Sequence, residues 1–163
     1  MIINTERFQL KSLTTENVTE QYLSWFSGSK EVEKYIDFAK KESNIDELVR
    51  YVRDRENRGD VLFLGIFSDS NQHIGNVKYE PINLKDKTAT MGILIGEKEW
   101  RGKGVASEVV KASSEYLGKT YGVRYIDLGV ARGNTPAVSA YKKMQFEVVE
   151  EDDNGFKMRL DLK

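Results

Sequence analysis

The run Trp100-Arg101-Gly102-Lys103-Gly104-Val105-Ala106-Ser107 places two glycines, two cations and a hydroxyl where an anion could be held. It follows an apolar strand-like stretch, Met91 to Ile95, and opens a helical pattern that continues to about Lys119. A glycine-bearing turn between a strand and a helix N-terminus exposes backbone N–H groups without intrahelical partners. That setting suits a phosphate or pyrophosphate. The glycines permit positive φ and let a ligand approach the backbone closely. Two common phosphate patterns do not fit. A Walker loop needs four residues between its first glycine and the Gly-Lys pair, then Ser or Thr. Here five residues separate Gly96 from Gly102, and Gly104 follows the lysine. The dinucleotide pattern G-x-G-x-x-G would use Gly102 and Gly104 but meets Ser107, and it lies past mid-chain.

The segment resembles the acetyl-coenzyme A signature R/Q-x-x-G-x-G/A of the GNAT superfamily of N-acetyltransferases, with Arg101, Gly104 and Ala106 at its defined positions. Downstream, Asn134, Ala137, Tyr141 and Phe146 resemble that family's N-x-x-A-x-x-x-Y-x-x-x-G-F pattern. The departure is Gln145, where the family has glycine. Upstream, Trp25-Phe26 through Val32 to Tyr35-Ile36 resembles the W-L-N-D-P-E-V-x-x-Y-L stretch of the RimJ/RimL-like branch. The likeness runs from about Phe8 to Leu160.

Acyl transfer to an amine needs a held thioester, a neutral amine, a polarised carbonyl and a proton for the departing thiolate. The resemblance implies that N–H groups from Gly102 through Lys103, Gly104, Val105 and Ala106 to Ser107 hold the pyrophosphate. Arg101 and Lys103 would add charge and Ser107 a hydroxyl. It also implies a splay between the family's fourth and fifth strands, with backbone groups at Leu94 and Gly96 free for pantetheine. The Leu94 N–H would contact the thioester carbonyl. Tyr141 would be the general acid, since a phenol with pKa near ~10 can protonate a thiolate near ~8.5. Otherwise it is a core or boundary tyrosine. Asn134 would touch the pantetheine arm, cap its helix, or do both. The base is open: Glu80, Glu97, a water chain, or an amine already neutral on binding. The glutamate found in the branch that acetylates ribosomal protein N-termini has no counterpart, because that position is Gly129. His73 reads as a strand residue rather than a catalyst.

The elements that must position these groups can be read from periodicity and turn residues. Phe8 to Leu13 reads as a strand, Thr15 to Phe26 and Ser43 to Arg58 as helices. In the second helix Asn44 is the cap and Ile45, Leu48, Val49 and Val52 form the apolar face. Val61 to Phe67 and His73 to Tyr79 form a hairpin, and Thr88 to Ile95 the next strand. Val105, Val109, Ala112 and Tyr116 recur at helical spacing. Arg124 to Val130 is a strand, Pro136 opens a helix to about Met144, and Phe146 to Glu150 with Phe156 to Leu162 close as a hairpin. The fold class is α/β (α+β). The family fold implies a mixed, mostly antiparallel central sheet of about six to seven strands flanked by about four helices.

At 163 residues the chain suits one domain over 1–163. Lys+Arg 25 against Asp+Glu 26 gives no global charge that argues for nucleic acid or membrane. The absence of cysteine excludes disulfides, thiolate metal sites and a cysteine nucleophile. With no signal-peptide pattern at the N-terminus, a cytoplasmic monomer or homodimer is expected. The function expected is acetyl-coenzyme A-dependent N-acetyl transfer by direct attack in a ternary complex, without metal. Segments His73 to Lys78, Pro81 to Asn83 and Met91 to Gly96 resemble nucleotide-sugar N-acetyltransferases acting on a 4-amino sugar. Arg101 and Glu80 depart from that group. A small amine or amino sugar is therefore placed ahead of a protein N-terminus as acceptor, with Trp25, Phe26, Tyr35 and Tyr79 as pocket candidates. The contrasting reading is a non-catalytic acyl-coenzyme A-binding regulatory module.

Overall fold

The computed structural model describes residues 1–26 and 44–163. Tyr35, Val32, Ile36 and Ser43 lie outside the described residues. The expected first helix is divided. Thr14 caps a short 3-10 turn, Thr15–Asn17, and Thr19 then caps α1, Glu20–Ser24. Each threonine oxygen takes a backbone N–H of the turn that follows, so two starts replace one continuous helix. Helix α2, Ile45–Glu56, begins as expected, with Asn44 Oδ1 accepting the Glu47 N–H at 2.9 Å. It buries Leu48 and Val52.

The strands are β1 (Ile2–Asn4), β2 (Phe8–Ser12), β3 (Leu62–Ser68), β4 (His73–Asn83), β5 (Thr88–Ile95), β6 (Tyr125–Ala131), β7 (Glu147–Glu151) and β8 (Gly155–Asp161). They form one sheet of eight strands among the described residues, in the order β1-β2-β3-β4-β5-β6-β8-β7. Neighbours are antiparallel except β5 and β6. The strand beyond the expected six to seven is β1, a three-residue edge paired with β2 through Ile3 and Leu10. Strand β4 continues past Tyr79 to Asn83 because its pairing with β5 shifts register between Tyr79 and Ile82. Pro81, which has no N–H to give, falls in that irregular stretch.

Helix α3, Val105–Tyr121, starts at Gly104 (φ 76°) and ends at Gly122 (φ 71°). It buries Val105, Val109, Val110 and Leu117 against Val77, Tyr79, Met91 and Ile126 on one face of the sheet. The opposite face carries a second core of Leu13, Tyr22, Trp25, Phe26, Leu48, Val52 and Leu94 beneath α1 and α2. Helix α4, Thr135–Lys143, has Pro136 in its first turn and no fully buried residue. Strands β6, β8 and β7 complete the sheet beside it.

Candidate active site

Strands β5 and β6 pair only at Thr88–Tyr125, Ala89–Ile126 and Thr90–Asp127, after which they diverge. Beyond that point β5 runs to Ile95 and β6 to Ala131 without each other. Backbone alternation determines which groups face the opening. The Lys87 carbonyl takes the Arg124 and Tyr125 N–H groups on the β6 side, at 2.7 and 3.0 Å. On the other side, the Gly96 N–H donates to the Ile74 carbonyl of β4 at 2.8 Å, next to the Asn76–Leu94 pair. Odd-numbered residues of β5 therefore turn N–H and C=O toward the gap, and even-numbered ones toward β4.

This corrects the expectation for Leu94 and Gly96. Their N–H groups belong to the β4 side, and the backbone groups facing the gap are those of Ile93 and Ile95. Counting back from Arg101 misses by one because a 3-10 turn, Lys98–Trp100, lies between strand and signature. Counting forward from the β4–β5 hairpin gives the right parity. Leu94 still borders the opening, while its side chain belongs to the core beneath α1 and α2. Arg101 spans the open end, with Nε donating to the Ile95 carbonyl at 2.9 Å and Nη2 reaching the Gly96 carbonyl at 3.4 Å.

The glycine loop stands at the same end. Gly102 has φ 71°, and among the described residues nothing lies within 4 Å of where a Cβ would lie. The first helical bond of α3 runs from the Glu108 N–H to the Gly104 carbonyl at 3.2 Å. The N–H groups of Val105, Ala106 and Ser107 thus have no intrahelical acceptor, and Gly104 has no side chain to cap them. Lys103 and Gly104 are exposed. These groups fit a pyrophosphate.

A cavity of about 670 Å³ lies between the splayed strands and α4, reached by Ile93, Ile95, Arg101, Val130, Asn134 and Tyr141. Burial raises the Tyr141 pKa above that of an ordinary phenol. The Asn134 Oδ1 accepts the Ala137 N–H at 3.3 Å, so this side chain caps α4 while standing at the cavity wall. A second cavity of about 410 Å³ shares Gly129, Val130 and Ala131 with the first and is bordered by Glu150, Glu151 and Asp152.

The two carboxylates considered as bases are placed elsewhere. Glu80 meets Arg55 at 2.9 Å, Arg58 at 3.0 Å and Lys78 at 3.4 Å. Burial opposes its ionisation, but the Arg55 hydrogen bond and the charges of Arg55, Lys78 and Arg58 hold its pKa below the usual carboxylate value. Such a group resists taking a proton. Glu97 accepts the Trp25 Nε1–H at 2.5 Å. Neither lines the Tyr141 cavity. His73 is stacked on Phe67 with ring centroids 4.8 Å apart, and its Nε2 lies 2.7 Å from Asn76 Oδ1. Of the pocket candidates, Trp25, Phe26 and Tyr79 are buried. Tyr79 belongs to the α3 side, where its hydroxyl meets Ser113 Oγ at 2.7 Å.

The family described as "Acetyltransferase (GNAT) domain" matches residues 7–147. The uncharacterised N-acetyltransferase p20 of Bacillus licheniformis is 25% identical over 146 residues, which is 88% of this chain and 80% of that protein. Human alpha/beta-tubulin-N-acetyltransferase 9 is 31% identical over 77 residues, 47% of this chain. That alignment spans only 37% of the human protein. Among solved structures, the ribosomal L7/L12 alpha-N-protein acetyltransferase RimL in complex with coenzyme A superposes with a TM-score of 0.84. It is 15% identical, and the match covers 99% of this chain and 98% of that one. The N-acetyltransferase PseH of Campylobacter jejuni superposes with a TM-score of 0.70 at 20% identity, over 96% of this chain and 99% of that one.

Proposed function

Because the chain belongs to the GNAT acetyltransferase family, we propose that it transfers an acetyl group from acetyl-coenzyme A to a primary amine by direct attack. The observation that carries this reading is one continuous feature: the open β5–β6 groove, the glycine loop at its end and Tyr141 in its wall. Acetyl-coenzyme A, when bound, supplies the activated acyl thioester. The N–H groups of Val105, Ala106 and Ser107 hold its pyrophosphate, and the helix dipole of α3 adds attraction. Ile93 and Ile95 offer the gap-facing backbone groups to the pantetheine amides. The Ile93 N–H replaces Leu94 as the donor for the thioester carbonyl.

Tyr141 holds the proton needed by the leaving thiolate, and its raised pKa keeps it protonated at neutral pH. Glu80, neutralised by three cations, is not the base in this reading. Glu97 is committed to Trp25. The amine therefore loses its proton to solvent or binds already neutral.

The acceptor we propose is a small amine or amino sugar. Two features support it: the resemblance of the His73 to Gly96 region to nucleotide-sugar acetyltransferases, and Gly129, which adds no carboxylate to the wall both cavities share. Glu150, Glu151 and Asp152 beside that wall would attract a cationic molecule. The test is free-thiol release from acetyl-coenzyme A against nucleotide-activated amino sugars, polyamines, amino acids and short peptides. Turnover with one small-amine class supports the reading. Turnover with peptides alone replaces the acceptor with a protein N-terminus. Saturable cofactor binding without turnover leaves a binding module.

A further inference from the structure

The glycine loop is braced by a part of the chain that no signature includes. Between β1 and β2 the backbone turns through Thr5, Glu6 and Arg7, and Glu108 in the first turn of α3 fastens that turn. Glu108 Oε1 accepts the Arg7 Nε–H at 2.7 Å, while Oε2 accepts the Arg7 backbone N–H at 2.8 Å and the Thr5 hydroxyl at 2.5 Å. Burial works against ionisation of Glu108, yet these three donors and the Arg7 charge hold its pKa below the usual carboxylate value.

The fork of Arg7 is thus divided. Its Nε is used by Glu108, and its two terminal nitrogens remain beyond that bond. Among the described residues, a Cβ placed on Gly104 would meet Arg7 Nη2 at 3.8 Å. The guanidinium carbon lies 5.1 Å from the Phe8 ring centroid, and Phe8 meets Trp100 edge-on at 5.2 Å. The side chain is 37% exposed. A cation is therefore held, partly open to solvent, beside the cap glycine whose helix offers free N–H groups.

We propose that Arg7 is a cofactor-binding residue, its terminal nitrogens bonding a phosphate oxygen of coenzyme A at the start of α3, and that Glu108 positions it. The proposal rests on the coenzyme A reading of the loop. An arginine fork suits this arrangement because one edge can serve a carboxylate while the other serves a phosphate, which an ammonium cannot reproduce.

The test compares wild type, Arg7→Gln, Glu108→Gln and the double variant by calorimetric titration with coenzyme A. Unliganded melting temperatures and the KM for S-acetylpantetheine, which carries no phosphate, are measured alongside. Arg7→Gln is expected to weaken coenzyme A binding roughly tenfold or more, the scale of a charge-assisted hydrogen bond, and to leave the S-acetylpantetheine KM unchanged. Glu108→Gln should weaken it less, and the double variant no more than Arg7→Gln alone. If Arg7→Gln fails to fold, Arg7→Lys is measured in its place, with a severalfold loss confined to coenzyme A. Wild-type affinity in the Arg7 variant, or equal loss toward coenzyme A and S-acetylpantetheine, overturns the proposal. If wild type itself does not bind coenzyme A, the cofactor reading fails and this inference falls with it.

Discussion

Tyr141 and Phe146 are joined twice: the Phe146 N–H donates to the Tyr141 carbonyl at 3.0 Å, and the two rings lie 5.6 Å apart. With the Gln145 N–H on the Lys142 carbonyl at 3.0 Å, this is a Schellman ending for α4. It fixes the turn that presents Tyr141 to the cavity. The motif requires a left-handed residue after the cap, and Gln145 takes that place with φ 81°.

Gln145→Gly should therefore stabilise the protein. The left-handed conformation costs an L-residue about 1–2 kcal/mol, and glycine gives back about 0.5–1 kcal/mol of backbone entropy. A net gain of about 0.5–1 kcal/mol is expected in urea unfolding at unchanged m-value. A loss would mean that the Gln145 side chain contributes more than its backbone strain costs.

Tyr141→Phe removes a hydroxyl while leaving the ring against Phe146. The expected result is a kcat lower by about 10²–10⁴-fold with coenzyme A affinity within a factor of about three of wild type. Because burial raises the Tyr141 pKa, its protonated form persists above the ordinary phenol value. The wild-type kcat profile should show no falling limb from this group below pH ~10. Such a limb near neutrality would assign the proton to another residue.

Gly96 lies under the indole of Trp25, where a Cβ would collide with the ring carbons. The same indole donates to Glu97, so one contact region joins α1 to the end of β5. Gly96→Ala should cost about 1–3 kcal/mol by overpacking and alter the near-UV signal of Trp25. Gly59→Ala, where nothing among the described residues lies within 4 Å, is the control and should leave that signal in place. Equal stability of the two variants would show that Trp25 is free to move aside.

The features legible in the sequence are those whose determinants are local. The Asn44 cap, the hairpin at Asp69 to Gln72, the glycine-bearing start of α3 and the helix carrying Tyr141 each depend on residues within a few positions. What stayed hidden depends on parity or on distant partners. Leu94 and Ile93 exchange roles through one turn, Lys98–Trp100. Glu80 looks like a free strand-end carboxylate until α2 and the turn after it bring Arg55 and Arg58 to it from 25 and 22 residues away. Tyr79 faces α3 because of its place in the strand alternation, which periodicity gives without saying what covers each face.

His73 supplies the pH dependence that follows from burial. Phe67 and Trp25 lie 4.8 Å from its ring, Tyr22 lies 5.5 Å away, and Asn76 holds Nε2. Burial lowers its pKa, although the Asn76 and Gly75 hydrogen bonds and the Glu97 charge act the other way. The unfolded chain then binds more of a proton near pH ~6.5 than the folded one does. Stability therefore falls as pH drops through ~6.5 and levels off below the depressed folded value. Glu80 and Glu108, whose pKa values are also lowered, lose their contributions only below the ordinary carboxylate range near ~4.3. His73→Gln, which can still bond Asn76, should flatten the unfolding free energy between about pH 7 and 5 and leave the acid limb intact. Urea unfolding across that range separates the two cases: parallel wild-type and variant curves would mean that His73 takes up its proton without leaving the fold.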